Sequence, residues 1–183
     1  MGYFLVGALQ RRRLLETPVS DIWYELPEAT TFSTSDDYIM TGIYPFKADV
    51  SFTLFADFTN NTSYPMYSTN LNSAAASGMR GGGKQAGNIQ IFINGTAYTG
   101  SSNLTKLALS HEAGSGVYRY YFSKTGGTNV SKTFTSYSGQ LKLGGYYSNR
   151  TDLLFKGTIR RFIVYKRKLT DTEIGTLWDG GVV

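Results

Sequence analysis

At 183 residues the chain suits one domain and is short for two. It contains no cysteine, which excludes disulfides and thiolate metal sites, and no apolar run approaches the roughly 20 residues that cross a bilayer. Its 18 Lys and Arg against 13 Asp and Glu give a net charge of +5, which suits an acidic partner: nucleic acid, an anionic glycan or an acidic protein face.

Glycine, tyrosine and phenylalanine number 21, 14 and 11, a composition that favours many short strands joined by turns. In chain order, Tyr3, Phe4 and Leu5 open an apolar run that gives way to Arg11, Arg12 and Arg13, with Ile22–Tyr24 beyond. Charge after the apolar stretch reverses the order of a secretory signal. Val6 stands where N-myristoylation wants Ser or Thr. The expectation is synthesis in a cytoplasm without a conventional export signal. The apolar and arginine content of residues 1–31 predicts an arm that docks on the domain's own sheet edge or on a neighbouring subunit.

Further along, Val50, Phe52, Leu54, Ala56 and Phe58 alternate with Ser51, Thr53 and Asp57, the period of a half-buried strand. Phe55 interrupts the polar face, so part of that face should be covered. Residues 73–87 are small and glycine-rich and read as a long loop. Ile89, Ile91 and Ile93 alternate again and end at Asn94-Gly95, the pair favoured in a type I′ hairpin turn. Leu107–His111 and Tyr118–Phe122 flank Gly114 and Gly116 as a second hairpin, and Gly126-Gly127 marks a third turn. Leu141 and Leu143 begin the closing stretch. Phe155–Tyr165 is rich in β-branched and aromatic residues and reads as a strand. Thr170 and Glu173 then form a capping box, with Leu169 and Ile174 spaced as a hydrophobic staple. Gly180 and Gly181 can end that helix. The pattern predicts an all-β, two-sheet antiparallel sandwich with one short C-terminal helix.

The run from Leu141 to Gly145, then Phe155–Ile159, Val164-Tyr165 and Leu169–Ile174, resembles the closing segment of laminin-G-like, concanavalin A-like jelly rolls. Phe32–Ile39 with Val50–Leu54 looks like the first strands of the same family. The resemblance covers roughly Phe32 to Trp178. It implies a jelly roll over residues 32–183 preceded by the 1–31 arm, on a scaffold often used to bind carbohydrate. It implies no particular ligand.

Several constellations are weighed against chemistry. Gly78–Lys84 has P-loop spacing, but Gln85 occupies the magnesium-binding position and no strand is read before it. Laminarinase-type glucanases share the jelly-roll scaffold and draw their carboxylates from one Glu-x-Asp-x-x-Glu strand. None of Glu16, Glu25, Glu28, Glu112 and Glu173 has an aspartate at that offset. The single histidine, His111, has no partner for a zinc site of the usual kinds and reads as a partly exposed strand end. Asp57 and Asn60 resemble part of a lectin calcium loop without its second acid, so calcium is possible and no other cofactor is expected. Six Asn-x-Ser/Thr sequons, Asn60 among them, are the chance yield of a chain rich in those residues.

Tyr, Asn and Arg in loops offer rings for sugar faces and donors for hydroxyls. The candidate glycan contacts are Tyr64, Tyr67, Asn70, Asn72, Tyr146, Asn149 and Arg150. Between Lys156 and Lys168 stand six basic residues and no acid, which suits either an acidic partner or protection of a sheet edge. No nucleic-acid module is recognisable. The leading expectation is a non-enzymatic structural module of a bacteriophage virion, docked through its arm in an oligomeric assembly and presenting loops to host glycans. The alternative is a free-standing carbohydrate-binding lectin module of a bacterial surface protein. A glycoside hydrolase ranks behind both.

Overall fold

The computed structural model describes residues 21–33, 38–60, 64–69, 79–85, 87–132, 139–145 and 155–183. They form two antiparallel sheets and one helix, the expected all-β sandwich. The larger sheet runs β1 (Ile22–Glu25), β13 (Gly157–Tyr165), β4 (Phe52–Asn60), β9 (Lys106–His111), β10 (Val117–Tyr121) and β11 (Thr128–Ser131), with β2 (Thr30–Phe32) also paired to β13. The smaller sheet runs β3 (Ile39–Met40), β12 (Lys142–Leu143), β5 (Tyr67–Ser68), β6 (Met79–Gln85), β7 (Asn88–Ile93) and β8 (Thr96–Thr99).

Alternation decides what lies between the sheets. Phe52, Leu54, Ala56 and Phe58 from β4 meet Ile89, Ile91 and Ile93 from β7, with Leu141, Leu143, Phe162 and Val164, in one buried core. Each such side chain contributes about 1.5–3 kcal/mol by leaving water. Strand β13 keeps both Ile159 and Phe162 inside, although they are three apart, because its register against β4 shifts between Ile159 and Arg161. Asn94 and Gly95 both have positive φ, 47° and 81°, as the type I′ turn between β7 and β8 requires.

The helix α1 (Asp171–Trp178) covers part of the larger sheet's outer face. Its capping box is complete: the Glu173 N–H donates to Thr170 Oγ1 at 3.3 Å, and the Thr170 N–H donates to Glu173 Oε2 at 2.7 Å. Leu169 and Ile174 are both buried in the layer beneath, with Leu177, Ile163 and Tyr165. Phe55, which breaks the polar alternation of β4, lies in this layer with its ring centroid 5.9 Å from that of Trp178. Gly180, at φ 85°, follows the helix.

Two expectations are corrected. Ile22–Glu25 and Thr30–Phe32 pair with β13, so the sandwich begins before residue 32 and the boundary drawn there runs through the larger sheet. Tyr3, Phe4, Leu5, Arg11, Arg12 and Arg13 lie outside the described residues. Met79–Gln85, read as loop, is strand β6, paired with β5 and β7. Its glycines answer a packing demand: a Cβ on Gly81 would stand 2.5 Å from the Tyr67 hydroxyl oxygen, and Gly82, at φ 81°, lies over Met66.

Candidate functional site

The outer face of the smaller sheet is set by cross-strand pairing, because residues opposite each other in an antiparallel ladder point the same way. Met40 pairs with Lys142, Lys142 with Ser68, Ser68 with Arg80, Arg80 with Phe92, and Phe92 with Ala97. Their neighbours Leu143, Tyr67, Met79, Ile91 and Ile93 face the core, so this row lies on the sheet's other face, open at Met40 and Ala97 and covered at Ser68 and Lys142. At about 4.8 Å per strand, it is on the order of 24 Å across.

Arg80 and Lys142 each rest against an aromatic ring. The guanidinium of Arg80 lies 3.8 Å from the Phe92 ring centroid, and the ammonium of Lys142 lies 4.2 Å from that of Tyr38. Stacking occupies the face of a guanidinium and not its N–H edge, the part that binds a carboxylate bidentately. Lys142 is 3% exposed and Ser68 1%; burial pulls the Lys142 ammonium below its ordinary range. On the same face, the Gln90 amide nitrogen donates to Thr99 Oγ1 at 3.4 Å, while its carbonyl oxygen is buried without a hydrogen-bond partner. None of the six strands carries Asp or Glu.

The larger sheet handles charge differently. Arg160 Nε donates to Asp57 at 2.7 Å, Arg161 to the Gly181 carbonyl at 2.7 Å, Arg167 bridges Asp21 and Glu173, and Lys168 meets Glu112 at 3.2 Å. Arg160, Arg161, Arg167 and Lys168 of the Lys156–Lys168 run therefore have internal partners, and these four do not form a free basic patch. Beside it, Arg119 and Tyr121 converge on Asp171 at 2.7 and 2.8 Å. Burial, with the Asp171 hydrogen bond next, pushes the Tyr121 phenol up to about 12.

The residues expected from sequence fare unevenly. Tyr67 is wholly buried, its ring centroid 6.1 Å from that of Phe162; a side chain facing the other sheet cannot stack on a sugar. Tyr64 is half-buried, and Asn70, Asn72, Tyr146, Asn149 and Arg150 lie outside the described residues. The calcium pair separates. Asp57 and Asn60 are three apart on β4 and so face opposite ways. Asp57 meets Arg160 and Lys106, while the buried Asn60 amide donates across the sandwich to the Gly82 carbonyl, which also removes Asn60 as a glycosylation acceptor. Among the described residues no three His, Asp or Glu converge. His111 ends β9 as expected but is 1% exposed, correcting the expectation of partial exposure. Its Nδ1 lies 2.9 Å from the Val117 carbonyl oxygen and its ring stacks on Tyr118 at 4.4 Å.

Sequence reasoning missed Arg80 and Lys142. The signal for Lys142 was present, since alternation between two inward leucines turns it outward. Arg80 was hidden by its glycines.

No family model matches the sequence, and no curated protein is similar to it. Solved structures match in shape. The Ruminococcus gnavus intramolecular trans-sialidase module CBM40, a carbohydrate-binding module solved with α2,3-sialyllactose, aligns over 84% of this chain and 95% of its own at 16% identity, TM-score 0.59. The NanB sialidase of Streptococcus pneumoniae aligns over 84% of this chain at 14% identity, TM-score 0.59. A leech intramolecular trans-sialidase aligns over 85% at 17% identity, TM-score 0.61. The chain spans only 27% of each of these two enzymes. At such identities the likeness is one of fold: a lectin-like β-sandwich, in keeping with the concanavalin A-like expectation. No laminin-G or bacteriophage link accompanies these structures. Among the described residues no helix is long and apolar enough to cross a membrane.

Proposed function

We propose that this chain is a non-catalytic carbohydrate-binding module that takes a carboxylate-bearing glycan on the outer face of its smaller sheet. One observation carries the proposal: the chain shares its fold over 84% of its length with a carbohydrate-binding module solved with α2,3-sialyllactose, and Arg80 stands half-buried against the Phe92 ring on that face. The guanidinium edge of Arg80 supplies the direct contact to the carboxylate. Lys142, largely removed from water, adds a positive field that solvent screens weakly. Tyr64, Asn70, Asn72, Tyr146, Asn149 and Arg150 remain candidate loop contacts for the same ligand. The fold neighbours support this reading, since one of them is a carbohydrate-binding module solved with sialyllactose.

Titration calorimetry with 3′-sialyllactose and with lactose tests it. Wild type should bind the acidic sugar and not the neutral one, with affinity falling as salt rises. Arg80→Ala should weaken binding at least about tenfold, as loss of a charge-assisted contact does. Equal binding of lactose and sialyllactose would sink the proposal. The leading sequence expectation, docking in a virion, rests on the 1–31 arm, whose residues 1–20 lie outside the described residues, and the fold neighbours favour the carbohydrate-binding alternative.

A further inference from the structure

At the β3 edge of the smaller sheet, large side chains stand open to solvent within residues 38–44: Tyr38 is 48% exposed, Met40 43% and Tyr44 42%. Among the described residues the only other exposed large hydrophobic is Val182. The backbone fixes which groups share a face. Past the Met40–Lys142 pair, the Thr41 N–H donates to the Leu141 carbonyl at 3.1 Å, and the Leu141 N–H donates to the Ile43 carbonyl at 3.0 Å. One extra residue, Gly42 at φ 78°, therefore bulges between them. Ile43 and Leu141 lie in the core, which turns their neighbours Tyr44 and Gln140 outward together. Gly42, exposed and without a side chain, leaves a gap between Met40 and Tyr44. A Cβ there would stand 3.8 Å from the Gln140 amide nitrogen. Tyr38 already carries the Lys142 ammonium against its ring, so the open groups are Met40, Tyr44 and the half-buried Gln140.

We propose that Met40, Tyr44 and Gln140 form a binding site for a neutral N-acetylated sugar, separate from the carboxylate contact at Arg80. Residues 38–46 carry no charge, so nothing in the segment selects an ion. The Tyr44 ring receives the C–H face of a pyranose, and the Met40 thioether receives the acetyl methyl. The Gln140 carboxamide donates from Nε2 to the acetamido carbonyl and accepts a sugar hydroxyl at its own oxygen. A protein partner fits worse. Three side chains less than half open expose on the order of 300 Å², against roughly 800 Å² per partner in a stable protein interface.

Saturation-transfer NMR with N,N′-diacetylchitobiose and cellobiose tests this, since the two disaccharides differ by acetamido against hydroxyl. Wild type should bind the acetylated sugar at least about fivefold more tightly, the scale of one hydrogen bond, with the strongest transfer at its acetyl methyls. Tyr44→Ala should weaken that binding at least about fivefold. Gln140→Ala should bring the two disaccharides within about twofold of each other, and Ala97→Ser, at the far β8 edge, should change nothing. Circular dichroism with thermal melting confirms that each variant keeps the fold. Equal affinity for the two sugars in wild type, full affinity in Tyr44→Ala, or a preference that survives Gln140→Ala overturns the site. None of these results touches the contrast between sialyllactose and lactose, whose failure would remove the carboxylate contact and leave this site standing.

Discussion

The two sheets of this sandwich deal with their outer faces in opposite ways. On the larger sheet a capped helix lies over Phe55, Ile163 and Tyr165, and Arg160, Arg167 and Lys168 find carboxylates within the domain. The smaller sheet has cations on acid-free strands, rings beside them, and exposed tyrosine and methionine at its edge. The larger sheet's polar groups answer one another, which stabilises the fold. The smaller sheet sets its cations against aromatic rings and leaves large side chains open at one edge, the face on which glycan binding is proposed.

That contrast can be broken at three places. The largest effect is expected at Gly81, where an alanine methyl would collide with the Tyr67 ring and the ring has no room to yield. Gly81→Ala should lower stability by about 1–3 kcal/mol in urea unfolding; a neutral result would mean that β5 and β6 do not pack so closely. Next is the helix cap on the larger sheet. Arg167, then the Thr170 backbone, hold the Glu173 carboxyl down at about 2 against an ordinary 4.5. A carboxyl depressed in the folded state adds stability that is complete above pH 4.5 and is lost as pH falls towards 2. Glu173→Gln should remove about 1 kcal/mol at neutral pH and flatten the stability profile between pH 4.5 and 2. A profile as steep as wild type would place the acid sensitivity elsewhere. The smallest effect is expected at Tyr67, whose buried hydroxyl has no hydrogen-bond partner. Tyr67→Phe should be neutral or stabilising by up to about 1 kcal/mol and should leave glycan binding unchanged. Weakened binding would return Tyr67 to the site.

Legibility in the sequence followed the range of the interactions involved. The Asn94-Gly95 turn, the Thr170–Glu173 box and the covered face announced by Phe55 depend on neighbours a few residues away, and all stand as read. Strand β6 was misread because glycine reports only the absence of a side chain. What fills the space is the ring of Tyr67, fourteen positions earlier by number and directly opposite in register. For the same reason Tyr67 looked like a loop ligand. The row of Lys142, Ser68 and Arg80 exists only once β12, β5 and β6 lie side by side, an order that no local pattern encodes. The basic run had the opposite fate: conspicuous in sequence, half of its cations meet acids in the fold, one of them 146 positions away.

The most direct test of the division between the two sheets is a map of backbone amide shifts during titration with 3′-sialyllactose. Changes should concentrate at Ser68, Arg80, Phe92 and Lys142 and continue to Met40, with the helix and β10 silent. Changes centred on Arg119, Arg160 or Arg167, or none at saturating sugar, would contradict the account.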